Sequence, residues 1–272
     1  MIHRNTMKNI DQFNKRFDLF LSKHILNKDN QLSKAIHYSI FSGGKRFRPF
    51  LISVMSKELG LPSNITMHLS TSVEMLHNYS LVHDDLPAMD NDKYRRGKKT
   101  THYKYNEFIA ILAGCGLLTQ SFGILSNKSF KVRDKVKSSL IAELCHISGE
   151  FGLLKGQYDD LSLKKYDMKR RLEINKLKTG MLMSYCCHCT AIAAGKNVKY
   201  QNKIKKLGMF IGEIFQINDD FEDFPKMKIS DKKIYNEYKK KLYQKSYIIM
   251  KDLKFRKKET YQLLDFVFDL KV

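Results

Sequence analysis

At 272 residues the chain is long enough for one large domain, and its length does not demand two. Its formal charge of +21 rests almost wholly on lysine, 39 against 10 arginines, spread along the chain with runs at 239–241 and 254–258; no nucleic-acid motif accompanies them, so solvated helix faces are the simpler account and no nucleic-acid partner is expected. Five cysteines, an odd number, and a polar, charged N-terminal stretch without an apolar segment speak against a secreted disulfide scaffold and for a reducing, cytoplasmic setting.

Apolar residues recur at helical spacing nearly throughout, first at Phe13, Phe17, Phe20 and Leu21, and alternating strand-like runs are scarce. With four prolines, fourteen glycines, no linker-type stretch and no solenoid repeat, the pattern predicts an all-α, single-domain helical bundle over 1–272 with its ligands in a central pocket. Next, Gly43-Gly44-Lys45-Arg46-Phe47-Arg48-Pro49 sets flexible backbone beside three cations, which suits either an anion-binding element or an ordinary glycine-stopped turn. A helix marked by Val73, Leu76, Tyr79 and Leu81 follows, with His77 two turns before Asp84 and on the same face.

Residues 81–97, LVHDDLPAMDNDKYRRG, then place Asp84, Asp85 and Asp90 within seven residues, with Arg95 and Arg96 close behind. Clustered carboxylates raise each other's pKa unless cations share the charge. Hard divalent ions answer that need, and Mg²⁺ prefers one or two carboxylates plus substrate phosphates to an all-protein cage. The two guanidinium forks suit phosphate oxygens, so a metal-bridged di- or triphosphate would use both halves of the segment. Taken alone, a solvated charged turn explains it equally well. The most apolar run, 108–118, is too short to span a bilayer and contains Gly114 and Gly116, so no transmembrane segment is expected.

Farther along lie a polar patch of Gly156, Gln157, Asp159 and Asp160 and the pair Arg170/Arg171, which has no phosphate-type neighbours in sequence. Lys178-Thr179-Gly180 ends a charged segment and opens an apolar one, where it could present a cation and a hydroxyl to one cavity. Cys186-Cys187-His188-Cys189 has zinc-ligand residue types, but adjacent helical residues diverge and no second cysteine pair completes four ligands; a buried helix with small thiols is expected instead. Met209, Ile211, Ile214, Phe215 and Ile217 mark another largely buried helix, which ends in Asp219-Asp220-Phe221-Glu222-Asp223. Asp219 and Asp223 share a face at i,i+4, and Gln216 precedes them by one turn. Two carboxylate clusters at the ends of two apolar helices can together grip several Mg²⁺ ions around one diphosphate.

In this order GGKRFRP, HNYSLVHDDLPAMDND, RRG, GQYDDL, KTG and FQINDDFED resemble the short-chain trans-prenyl diphosphate synthases, most closely the bacterial farnesyl diphosphate synthases, and the likeness is clearest over 30–223. The resemblance implies an all-α prenyltransferase, usually a homodimer. Such an enzyme joins isopentenyl diphosphate head to tail to dimethylallyl or geranyl diphosphate with about three Mg²⁺ ions. It implies Asp84, Asp90 and Asp219 as Mg²⁺ ligands on the allylic diphosphate, with Asp85 and Asp223 binding metal through water or holding those ligands in place. Lys178, Thr179, Gln216 and Arg95 fall to the allylic side; Lys45, Arg48, His77 and Arg96 fall to isopentenyl diphosphate. Asp84, Asp90, Asp219 and Lys178 would bear the catalysis, and no protein nucleophile is implied, because the departing pyrophosphate serves as base. Tyr79, five residues before Asp84, would floor the pocket and favour the fifteen-carbon farnesyl product.

The chain departs from the family at Cys115, where Asp is common, and at Lys99 and Asn106, where Pro and Gly are usual. After Asp223 a Gly- and Lys-rich loop gives way to FPKMKISDKKIYNEY, in which Lys226, Lys228, Lys232 or Lys233 would have to replace its lysine, and the C-terminal part is short. A weakly active or non-catalytic subunit modulating a partner synthase is the alternative. Both aspartate clusters argue against it, and GGKRFRP and RRG argue against a cyclase, which has no second diphosphate to hold.

Overall fold

The computed structural model describes residues 2–25, 29–163, 167–223 and 228–269, with the backbone alone described at 2–4, 222 and 223. Helices dominate, as the periodicity predicts. The exception is a ribbon: strands Tyr94–Arg95 (β1) and Lys98–Lys99 (β2) pair antiparallel, Tyr94 opposite Lys99. Arg96 and Gly97 close it with φ of 53° and 73°, the left-handed pair that a two-residue hairpin turn requires. Two-residue strands are too short to show alternation, so the sequence gives no sign of them.

The chain forms two compact units. The first contains 9–50 and 63–131. Here α1 (Ile2–Ser22) contributes Phe13, Phe17 and Leu21 to the core, Phe13 stacking on Phe17 at 5.6 Å and meeting Phe50 edge-on at 6.0 Å. α2 spans Gln31–Phe41, α3 Phe47–Leu59 and α5 Thr101–Lys104. The centre is α4 (Ser63–Asp84) against α6 (Glu107–Ser126), with Ser72 Oγ donating to the Ser121 carbonyl at 2.7 Å. Asn106, one of the departures from the family pattern, caps α6: its side chain accepts from the Ile109 N–H at 2.9 Å, satisfying an otherwise orphaned donor. By length and composition α6 could cross a membrane. The apolar run that the sequence seems to close at Leu118 continues as helix through polar Thr119, Gln120 and Ser121. Its Ile109, Ala113, Leu117 and Ile124 are buried in this unit, as in the core helix of a globular fold.

The second unit contains 1–8, 51–62 and 132–272. Its described elements include α7 (Asp134–Ser148), α8 (Leu153–Leu161), α9 (Met168–Asn175), α10 (Met181–Ala193), α11 (Val198–Asp223), α12 (Ile229–Asp252) and α13 (Lys258–Phe268). α10 is buried from Leu182 to Ile192, and each apolar side chain so covered contributes roughly 1.5–3 kcal/mol. Its Cys186, Cys187 and Cys189 are buried free thiols, burial raising the pKa of Cys187 and Cys189, and His188 turns to Glu143 at 3.3 Å and Gln201 at 3.2 Å. α11 lies unusually close to α10. A Cβ on Gly208 would stand 2.6 Å from the Met183 carbonyl oxygen, and one on Gly212 2.8 Å from Met183 Cβ, so only glycine permits this approach. Between α9 and α10 residues Lys176–Gly180 form a π-turn, with the Met181 N–H donating to the Lys176 carbonyl. The lysines of α12 at 233, 240, 241, 245 and 251 face solvent.

Candidate active site

In the first unit, Asp84 is the last residue of α4, and the Asp90 N–H donates to the Asp84 carbonyl at 2.9 Å, closing a turn with Asp84 and Asp90 at its two ends. Asp84 is half-buried and Asp90 exposed. The C-terminal end of a helix carries the negative pole of its dipole, a poor place for a carboxylate and a good one for a bound cation. Asp85 goes elsewhere. Adjacent helical side chains diverge, and Asp85 is buried, with Arg95 Nε donating to its Oδ1 at 2.7 Å; burial raises its pKa, while Arg95 pulls it down. Arg95, expected on allylic diphosphate, thus stands between Asp85 and Asp92, the latter at 3.3 Å. A cleft here is lined by Asn78, Asp85, Arg95, Arg96 and Lys99.

The same unit gathers cations around one imidazole. Arg48 Nη1 donates to His77 Nε2 at 3.1 Å. Burial first, and then the charges of Arg48, Arg96, Arg95 and Arg46, hold the His77 pKa well below its ordinary value, so the ring is neutral and accepts at Nε2. Arg96 Nη1 donates to the Gly43 carbonyl at 2.6 Å, and a Cβ on Gly44, whose φ is 134°, would lie 2.5 Å from that nitrogen. The two glycines therefore shape the turn around a guanidinium. Partial burial lowers the Arg96 pKa, and the charges of Arg95, Arg46 and Arg48 add to this against the pull of Glu74. Lys45 is exposed beside them.

Arg46 corrects the expectation of three cations for one anion. It is buried, donating to Glu74 at 2.6 Å, Asp18 at 3.1 Å and the Ile40 carbonyl at 2.7 Å, and it holds the unit together. Tyr79 is buried on α4, its ring 4.8 Å edge-on from that of His83, and burial keeps its hydroxyl protonated.

In the second unit α11 ends at the other carboxylate cluster. Asp220 is fully buried; it accepts from Asn175 Nδ2 at 2.6 Å and from Gln216 Nε2 at 3.3 Å, and Arg171 Nη2 lies 3.6 Å away. Asp219, half-buried, is its neighbour. Gln216 Oε1 accepts from Thr179 Oγ1 at 2.7 Å. Lys178 Nζ donates to Asp160 Oδ2 at 2.7 Å, and Arg171 Nη1 to Asp160 Oδ1 at 2.6 Å. Lys178, Thr179, Gln216 and Asp219, given roles from the sequence, thus share this end of the unit with Asp160, Arg171 and Asp220, which the sequence marked without a role, and with Asn175, which it did not mark. The side chain of Asp223 and all of Lys226 lie outside the described residues. Lys228 and Lys233 are exposed at the start of α12, and Lys232 is half-buried there.

Carboxylate oxygens make up both clusters, with no thiol among them, which suits a hard cation. Among the described residues no three His, Cys, Asp or Glu side chains are assembled as a cage. Mg²⁺, the hard cation that the resemblance implies, takes one or two carboxylates and completes its shell with phosphate and water.

The polyprenyl synthetase family model matches residues 29–269, and the chain belongs to that family. The match continues well past Asp223. The chain is 36% identical over 208 residues to the farnesyl diphosphate synthase of Geobacillus stearothermophilus, covering 75% of this chain and 70% of that one. It is 36% identical over 245 residues to the farnesyl diphosphate synthase of Buchnera aphidicola from Acyrthosiphon pisum, covering 83% and 87%. An apo crystal structure of an FPP/GFPP synthase from Zymomonas mobilis superposes with a TM-score of 0.88 at 26% identity, covering 99% of this chain and 100% of that one. A geranyltransferase from Legionella pneumophila gives 0.86 at 26%, covering 99% and 98%. The protein is a trans-prenyltransferase, the enzyme type of the farnesyl diphosphate synthases it resembles.

Proposed function

We propose that the protein condenses isopentenyl diphosphate head to tail with dimethylallyl or geranyl diphosphate and releases farnesyl diphosphate. The observation that carries this reading is the neutral His77 among Arg48, Arg96 and Arg95, a place where cations converge on one another and an anion would relieve them. A second diphosphate, beyond the one held through metal, is what distinguishes this reaction from cyclisation.

The allylic carbon–oxygen bond breaks, and its electron pair leaves with pyrophosphate. The alkene of isopentenyl diphosphate attacks the allylic cation, forming the new carbon–carbon bond, and a proton passes from the adjacent carbon to the departing pyrophosphate. Asp84 and Asp90 would hold Mg²⁺, as would Asp219, and the bound ions would supply positive charge for the leaving group. Lys178, steadied by Asp160, offers a preorganised cation for the leaving group. The Thr179–Gln216 pair orients the allylic group. Arg48, Arg96 and Lys45 hold the isopentenyl diphosphate, and neutral His77 accepts from Arg48 and so steadies that guanidinium. Tyr79 limits chain growth to fifteen carbons. The apolar residues that α6 exposes, Phe108 (63%), Ile111 (43%) and Leu112 (49%), support a homodimer, and the five free thiols fit a reducing cytoplasm.

Purified protein incubated with Mg²⁺, labelled isopentenyl diphosphate and each allylic starter tests the reading. Fifteen-carbon diphosphate should form, vanish with EDTA, return with added Mg²⁺ and be lost in Asp84→Ala. No incorporation with either starter by folded protein refutes it.

A further inference from the structure

Arg171 is an arginine that the proposed reaction leaves unused. Its neighbour Arg170 is exposed on α9, whereas the Arg171 side chain is 16% exposed. Its guanidinium lies between two carboxylates on different helices, Asp160 of α8 at 2.6 Å and Asp220 of α11 at 3.6 Å. Each carboxylate has a second partner. The other oxygen of Asp160 holds Lys178 Nζ at 2.7 Å. Asp220 takes the Gln216 amide, whose carbonyl oxygen in turn accepts from Thr179. Two short chains of contacts thus start at Arg171, and they end on Lys178 and on Thr179. Asp219, the next residue along α11, moves with Asp220. Two acids, Asp160 and Asp220, face two cations, Arg171 and Lys178. Lys178 reaches Asp160, whereas Arg171 reaches both acids and links them. A planar fork can span two carboxylates; a point charge on a flexible stem reaches one.

We infer that Arg171 is a positioning residue. By tying Asp160 to Asp220 it fixes Lys178 and the end of α11 that carries Asp219 in the arrangement that receives a metal-bound diphosphate. The identity of that diphosphate as the allylic substrate rests on the function proposed above.

The test compares Arg171→Met, Arg171→Lys, Asp160→Asn and the Arg171→Met/Asp160→Asn double variant. Three quantities are read: Mn²⁺ retained with inorganic pyrophosphate, followed by the electron paramagnetic resonance of free Mn²⁺; KM for each substrate; and the melting temperature of the free protein. Arg171→Met should weaken pyrophosphate-dependent Mn²⁺ binding about tenfold and raise the allylic KM by a similar factor, the scale seen when a ligand's supporting contact is lost. The isopentenyl KM should stay within about twofold. Arg171→Lys should recover part of the loss, and the double variant should lose no more than the worse single one. Unchanged Mn²⁺ retention in Arg171→Met overturns the inference. So do additive losses in the double variant, or a parallel rise in both KM values with a lowered melting temperature, which would mark Arg171 as structural only. The Mn²⁺ arm separates this inference from the proposed function: if the wild-type protein transfers no prenyl group yet Arg171→Met still weakens pyrophosphate-dependent Mn²⁺ binding, the function fails and the inference stands.

Discussion

Arg46 and Arg48 stand two residues apart in one motif, and their substitution by methionine should have opposite consequences. Arg46 donates to Glu74, whose side chain is 4% exposed, to Asp18 and to the Ile40 carbonyl. Burial opposes its charge, but Glu74 and Asp18 more than offset this and raise its pKa. Removing one partner of a buried ion pair strands the other, at a cost of about 3–5 kcal/mol. Asp18, 43% exposed, adds little to that figure. With an unfolding entropy of roughly 0.6 kcal/mol/K for a chain of this length, Arg46→Met should lower the melting temperature by about 5–9 °C. Neutralising the stranded acid as well, in Arg46→Met/Glu74→Gln, should restore about half of the loss. Arg48→Met should melt within about 2 °C of wild type and instead raise the isopentenyl KM about tenfold. Differential scanning calorimetry with steady-state kinetics normalised to folded protein reads both. Equal melting of wild type and Arg46→Met, or equal destabilisation by the two substitutions, would refute the assignment of one arginine to the core and the other to substrate.

Three further outcomes are expected. Glu143 has its pKa lowered to about 2 by the hydrogen bond from His188, against burial, with help from Lys205. Because the folded value lies below the unfolded one near 4.5, the stabilisation of up to about 3 kcal/mol is present above pH 4.5 and lost as pH falls toward 2; Glu143→Gln should be destabilised in urea melts at pH 7 and approach wild type near pH 2, and a loss independent of pH would contradict this. Gly212→Ala places a Cβ 2.8 Å from Met183 Cβ and 2.9 Å from Gly180 Cα, so overpacking of about 1–3 kcal/mol should outweigh the gain in helix propensity and raise the allylic KM, whereas Gly123→Ala meets nothing within 4 Å and should stabilise by about 0.5–1 kcal/mol. Tyr79→Ala should shift the product beyond fifteen carbons, and an unchanged chain-length distribution would remove Tyr79 from the control of length.

The helices and the two acidic clusters were legible because helical period and i,i+4 spacing are local properties. Asp84 and Asp219 sit near the ends of α4 and α11 as the apolar runs before them require. What escaped depends on partners distant in sequence. Nothing within GGKRFRP separates Arg46 from Arg48; the difference is Glu74, 28 residues away. Arg171 has no phosphate-type neighbours in sequence, and its partners Asp160 and Asp220 lie 11 and 49 residues off. Asp85 belonged with Asp84 and Asp90 by composition, yet the turn of the helix gives it to Arg95. α6 reads as shorter than it is because polar residues interrupt an apolar run without interrupting a helix.

The bond from the Met181 N–H to the Lys176 carbonyl makes α9 and α10 one continuous rod with one residue more than an α-helix of the same rise would hold. The five residues of the π-turn cover about the angle that four cover in an α-helix, so the surplus is absorbed within the turn and the faces on either side keep their register. Gly208 and Gly212 lock α10 against α11. Losing a single position such as Leu177 would let the turn close as ordinary α-helix, leaving Arg171 and Asn175 facing Asp160 and Asp220 but changing the direction in which Lys178 and Thr179 leave the backbone. Substitutions at Leu177 should therefore be tolerated where a deletion is not: at this point the chain encodes its site by how many residues it has as much as by which.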